Sequence, residues 1–171
     1  MFGRKNKIDV QELGITLHKL VIQEVFRFLE RAGKKTLKFF NLNREDFGEE
    51  LIWLSQFAAW SVLKKLFPDE NEDIIAAMHQ AYYDDLIKDG ITQDELTELD
   101  SYLQKRFLVL SLAEAKLPED KFNEELGKMS AISVSKKDSP PEDLSPIISI
   151  YYAGICAQIG AFLSTVQLKE T

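Results

Sequence analysis

Apolar residues recur along most of this chain at the three-and-four spacing of an α-helix, and nowhere alternate over a convincing strand length. Ile132-Ser-Val134 comes nearest to alternation and is too short. A first helix is predicted over about 9–32, with Val10, Leu13, Leu17, Leu20, Val21, Val25, Phe28 and Leu29 on one side. Gly33 should interrupt it before the basic turn Lys34–Lys38. Asn43 then caps a second helix, with Asp46 placed to meet its exposed N–H groups. Residues 51–63 of that helix carry no charge and set Trp53 and Trp60 on one side, so the helix should be largely buried. A third helix follows Pro68 and runs over about 71–88, stopped by Gly90. Thr92-Gln-Asp-Glu95 reads as a capping box that opens a fourth, ended by Leu117-Pro118. A shorter fifth helix carries Phe122, Leu126 and Met129. Residues 136–145, with Pro140-Pro141, are the one linker, and Ser145-Pro146 should start the last helix.

That last segment is the most distinctive in the chain. Residues 146–168 contain no charge, although 29% of the whole sequence is charged. Twenty-three uncharged residues could span a hydrocarbon core of ~30 Å. Gln158, Gln167, Ser149, Ser164 and Thr165 interrupt the run, and no basic cluster follows it, so a buried helix at the axis of a bundle is the favoured reading. The prediction is a single all-α domain over residues 1–171, a bundle of five to six helices with a buried, charge-free C-terminal helix. Residues 1–8 are expected to be flexible.

Composition narrows the class without naming an activity. The lone Cys156 excludes an intramolecular disulfide framework and, with no clean secretory signal, suggests a cytoplasmic protein. The net charge of −7 is unevenly spread. Residues 1–40 hold nine Lys/Arg against four Asp/Glu, and residues 69–100 hold eleven acids against Lys88 alone. Overall acidity argues against nucleic acid as a partner. The two charged regions solvate the surface or attract each other, within one chain or between copies.

Motifs of known chemistry fail on their spacing. Residues 85–95 resemble a calcium loop, but Ile87 occupies a ligand position, and Glu95 follows the glycine by five residues where six are needed. The two histidines, His18 and His79, lack the Glu three residues earlier that a di-iron bundle requires, so no metal or other cofactor is predicted. No nucleophile elbow, P-loop or dinucleotide fingerprint is present.

Three polar residues interrupt apolar stripes: Arg106, His79 and Glu24. A buried arginine cannot shed its charge and should find a carboxylate, with Glu24 or Asp85 as candidates. With Trp53 and Trp60 these residues make up the candidate ligand site, an apolar cavity holding a few polar groups. A structural ion pair at Arg106 is the competing reading. The first functional expectation is therefore a non-catalytic helical interaction or adaptor protein that self-associates, as a homodimer for example, or binds a protein partner. A bundle binding a small apolar or amphipathic molecule comes second. A peripheral membrane protein whose basic first helix rests on anionic lipid comes next. An enzyme using Glu24 or Asp85 as acid or base comes last, since nothing singles out those carboxylates.

Overall fold

The computed structural model describes residues 6–169. Among them the chain forms β1 (Asn6–Ile8), α1 (Val10–Phe28), α2 (Lys34–Phe40), α3 (Arg44–Leu66), α4 (Asn71–Lys88), α5 (Gln93–Lys116), α6 (Glu119–Ser135), α7 (Leu144–Leu163) and β2 (Val166–Leu168). A π-helical stretch, Leu29–Gly33, joins α1 to α2 without a break, so the all-α bundle consists of six rods.

Helices α1, α3 and α5 start where side chains satisfy their first N–H groups. Asp9 Oδ1 accepts from the Glu12 amide at 2.7 Å, and Asn43 Oδ1 accepts from those of Glu45 and Asp46 at 2.7 and 3.2 Å. The capping box is formed: Thr92 Oγ1 accepts from the Glu95 amide, and the Glu95 carboxylate accepts from the Thr92 amide at 2.8 Å. Gly90, at φ +98°, turns the chain out of α4 in a conformation that other residues resist.

Three expectations need correction. Gly33 does not stop the first helix: the wider π turn absorbs it, and the rod runs on until Asn41 takes up the left-handed conformation at φ +53°. Residues 6–8 pair in parallel with 166–168, Ile8 opposite Leu168, while residues 1–5 lie outside the described range. The last helix begins two residues early, at Leu144 after Asp143 rather than at Pro146 after Ser145, with Pro146 inside the first turn, where a missing N–H costs no helical hydrogen bond.

The core is organised around α3. Twelve of its 23 residues are buried, and it packs against α1, α4, α6 and α7. Phe47, Leu51, Leu54, Phe57 and Leu63 are all closed off from solvent. The expectation of a buried α7 holds on one side only. Ile148, Tyr151, Tyr152, Ile155, Ile159 and Leu163 face α3 and α6, whereas Ile150, Ala153, Gly154, Ala157 and Ala161 face outward. The helix lacks charge all round but is buried on one face.

Two glycines set the closest helix crossings. A Cβ on Gly14 of α1 would lie 2.5 Å from the Ala77 Cβ and 2.7 Å from the Ile74 carbonyl oxygen, both on α4. A Cβ on Gly127 of α6 would lie 2.5 Å from the Ser145 carbonyl oxygen of α7. Backbone on the far side leaves no flexible atom to yield. Gly14→Ala should therefore cost about 1–3 kcal/mol in urea unfolding through overpacking, despite alanine's higher helix propensity. A neutral or stabilising result would mean that α1 and α4 can separate freely.

Candidate functional site

Most of the residues expected at the site fall in or beside three polar clusters between helices. The first lies between α3, α5 and α6. Glu50, 2% exposed, forms an ion pair with Arg106, 12% exposed. The second Glu50 oxygen accepts from the Ser133 hydroxyl at 3.1 Å, and Arg106 Nη1 donates to the Tyr102 hydroxyl at 3.0 Å. The guanidinium lies 5.7 Å from the centre of the Trp53 ring, within cation–π range. Trp53 also packs against Tyr102, with ring centres 5.0 Å apart and the planes tilted by 52°. Glu50 was reachable from sequence, because it falls in the stripe Phe47, Glu50, Leu54, Phe57, Ser61 at helical spacing.

The second cluster joins α1 to α4. Buried His18 donates from Nε2 to Asp85 at 2.9 Å, and Lys88 donates to the other Asp85 oxygen at 2.7 Å. Lys88 first, then His18, holds the Asp85 carboxyl below its ordinary range. The third cluster lies between α4 and α5. Tyr83 donates to Asp100 at 2.5 Å, and burial followed by that carboxylate pushes its phenol up. His79 packs between Tyr83 and Phe107, with ring centres 6.3 and 5.7 Å away, and its buried Nε2 has no hydrogen-bond partner.

The residues expected to share one pocket are thus dispersed. Arg106 and Trp53 meet. His79 and Trp60 stand on either side of the Phe57–Phe107 pair, with Trp60 5.4 Å from Phe57 and covered by the Lys64 ammonium at 4.8 Å. Aromatic rings fill the space in which a cavity was expected. Neither carboxylate expected for Arg106 serves it: Asp85 belongs to His18 and Lys88, and Glu24 pairs with Arg27 at the molecular edge. Glu50 takes that place.

Open space lies elsewhere. A cavity of about 420 Å³ is lined by Ser61, Val62, Glu114, Phe122, Tyr152 and Cys156, with Lys64 and Lys65 at its rim. Ser61 donates to the Glu114 carboxylate there, and burial raises the Cys156 thiol to about 11, keeping it protonated. A groove of about 280 Å³ runs between α1 and α7, bordered by Glu24, Arg27 and Arg31 on one side and by Ile150, Gly154 and Gln158 on the other. A second groove, of about 590 Å³, lies between α6 and α7 beneath Pro140 and Pro141. Among the described residues no group of three His, Cys, Asp or Glu side chains is placed to hold a metal. Comparison with protein-family models, with curated proteins and with solved structures gives no match for this chain.

Removing Arg106 would strand a carboxylate that water cannot reach. Arg106→Ala should cost about 3–5 kcal/mol, and the paired change Glu50→Met/Arg106→Met should recover most of it in chemical denaturation. A loss below ~1 kcal/mol would show the pair to be solvated. Burial holds the His79 imidazole below its ordinary 6.5, with Asp100 opposing weakly. The unfolded chain therefore takes up this proton at higher pH than the folded one, and stability declines as pH falls below about 6.5. His79→Phe should shrink the stability difference between pH 7.5 and 5.5, read from urea midpoints.

Proposed function

We propose that the chain is a non-catalytic helical interaction module, an adaptor that docks protein partners on two outward helix faces. The observation carrying this reading is apolar surface left in water on α5 and α7. On α5, Leu108 and Leu112 stand one turn apart with Val109 between them, each about half exposed or more. On α7, Ile150 is 73% exposed within a face that has no charge along the helix. Contiguous exposed apolar residues of this kind mark interaction sites more often than isolated ones do. The two faces point different ways from α3: Glu50 and Ser61 of α3 reach α5, whereas Ser55 reaches Tyr151 of α7 at 2.6 Å.

The polar clusters favour a structural role for themselves. Glu50, Arg106, Asp85 and Asp100 spend their hydrogen-bonding capacity on neighbouring side chains, which is how a bundle fixes helix positions rather than how it presents an acid or base. A cytoplasmic setting suits a single, half-buried free thiol. A second reading, a small-molecule binder, rests on the 420 Å³ cavity, whose volume and mixed lining fall in the usual range for ligands. Its polar groups would be Ser61, Glu114 and Tyr152 rather than the Arg106 set.

A photo-crosslinking amino acid placed at position 112 or 157 in living cells tests the adaptor reading. Covalent protein adducts are expected from one or both positions, and none from a control at Glu72, on the acidic end of α4. Absence of protein adducts from both positions would overturn it.

A further inference from the structure

The outward face of α7 has two unlike edges. On the α1 side Arg27 is paired with Glu24, whereas Arg31 meets no carboxylate among the described residues. On the α6 side Glu124 is shared by Lys121 and Lys128, whereas Asp120 and Glu142 meet no cation among the described residues. The surplus is therefore basic along one edge and acidic along the other. Ile150 stands between them and forms a wall of both grooves, so the apolar ridge is flanked on each side by a concave channel.

From this we infer that α7 is the contact helix of a symmetric homodimer, with the two copies of α7 packed side by side and parallel. The inference rests on the adaptor reading and names the partner of one of its faces. A two-fold axis along α7 sets the α1 edge of one copy over the α6 edge of the other, so Arg31 meets Asp120 and Glu142 twice, once in each direction. An axis across the helix would instead set Arg31 against Arg31 and acid against acid. The charge pattern selects the first arrangement. Each Ile150 then has a groove to enter on the opposite copy.

Two further features fit a close approach of this kind. Gly154 lies mid-helix with nothing beyond its sequence neighbours and its own helix backbone within 4 Å of where a Cβ would stand, so no tertiary contact requires glycine there. Ala153, Ala157 and Ala161 continue the same low ridge, and small side chains let helix axes come together. The area is sufficient. A helix about 30 Å long, flanked by neighbours about 8–10 Å away on each side, offers ~600 Å² per copy, near the lower end for stable association. The α5 face stays free for a different partner.

Sedimentation equilibrium of the full chain at ~100 μM tests this, since specific interfaces of ordinary size lie in the micromolar range or tighter. The expected mass is twice 19.6 kDa, falling to that of a single chain in Ala157→Glu. Arg31→Glu alone and Asp120→Lys/Glu142→Lys alone should each weaken association at least tenfold. Mixing those two variants should restore it, because each reversed edge then faces its opposite. Helical circular dichroism confirms that the variants are folded. A monomeric wild type, a dimer insensitive to the charge reversals, or one lost on Leu112→Asp instead of Ala157→Glu would overturn the proposal. So would a monomer that sediments with phosphatidylserine vesicles through Ile150, which would assign the face to lipid. In each case a protein adduct from position 112 would leave the adaptor reading standing.

Discussion

Everything in this molecule depends on α3 having no face to spare. Four helices share its sides through close backbone packing, and a fifth, α5, reaches it through Arg106, Phe107 and Glu114. The surrounding helices bury the sides they turn toward α3 and toward one another, α1 against α4 and α6 against α7, and leave the remaining side in water. The exposed apolar residues of α5 and α7 are the consequence. Their surfaces were released by geometry, since no other helix of the described chain covers them.

A helix buried on all sides could slide or rotate if its contacts were only apolar. The polar residues of α3 argue against that freedom. Ser55 binds Tyr151 of α7, Ser61 binds Glu114 of α5, and Glu50 binds Arg106 of α5 together with Ser133 of α6. Each bond is directional and is satisfied in one register, so together they specify how the neighbours sit around α3. Gln56 is the exception: fully buried, with neither amide atom hydrogen-bonded, it costs stability that the apolar packing around it must offset.

Local signals were the legible part of this fold. Asn43, Thr92 with Glu95, and Gly90 act through atoms a few residues away, and the structure uses each as its chemistry predicts. The π turn at Leu29–Gly33 has no such local signature, and Gly33 alone suggested a stop. The reading of α7 held for one face only, for a different reason. Absence of charge shows that a helix avoids ionised groups but not which side meets water, and alanine, glycine and serine lose little by being exposed. The candidate site divided in the same way. That Arg106 needs a carboxylate follows from its position in an apolar stripe; that Glu50 supplies it, 56 residues earlier, follows only from tertiary packing.

Both tryptophans of the chain, Trp53 and Trp60, lie on one side of α3, two turns apart. Trp53 is wedged against Tyr102 and the Arg106 guanidinium, and Trp60 lies on Phe57, which itself meets Phe107 of α5. The tryptophan fluorescence of the protein therefore originates at a single seam. Detachment of α5 would wet both indoles and redden the emission while most of the bundle kept its helicity, whereas events confined to the outward face of α7 would leave the emission unchanged. The molecule carries a built-in optical probe of one joint and is nearly blind to the others.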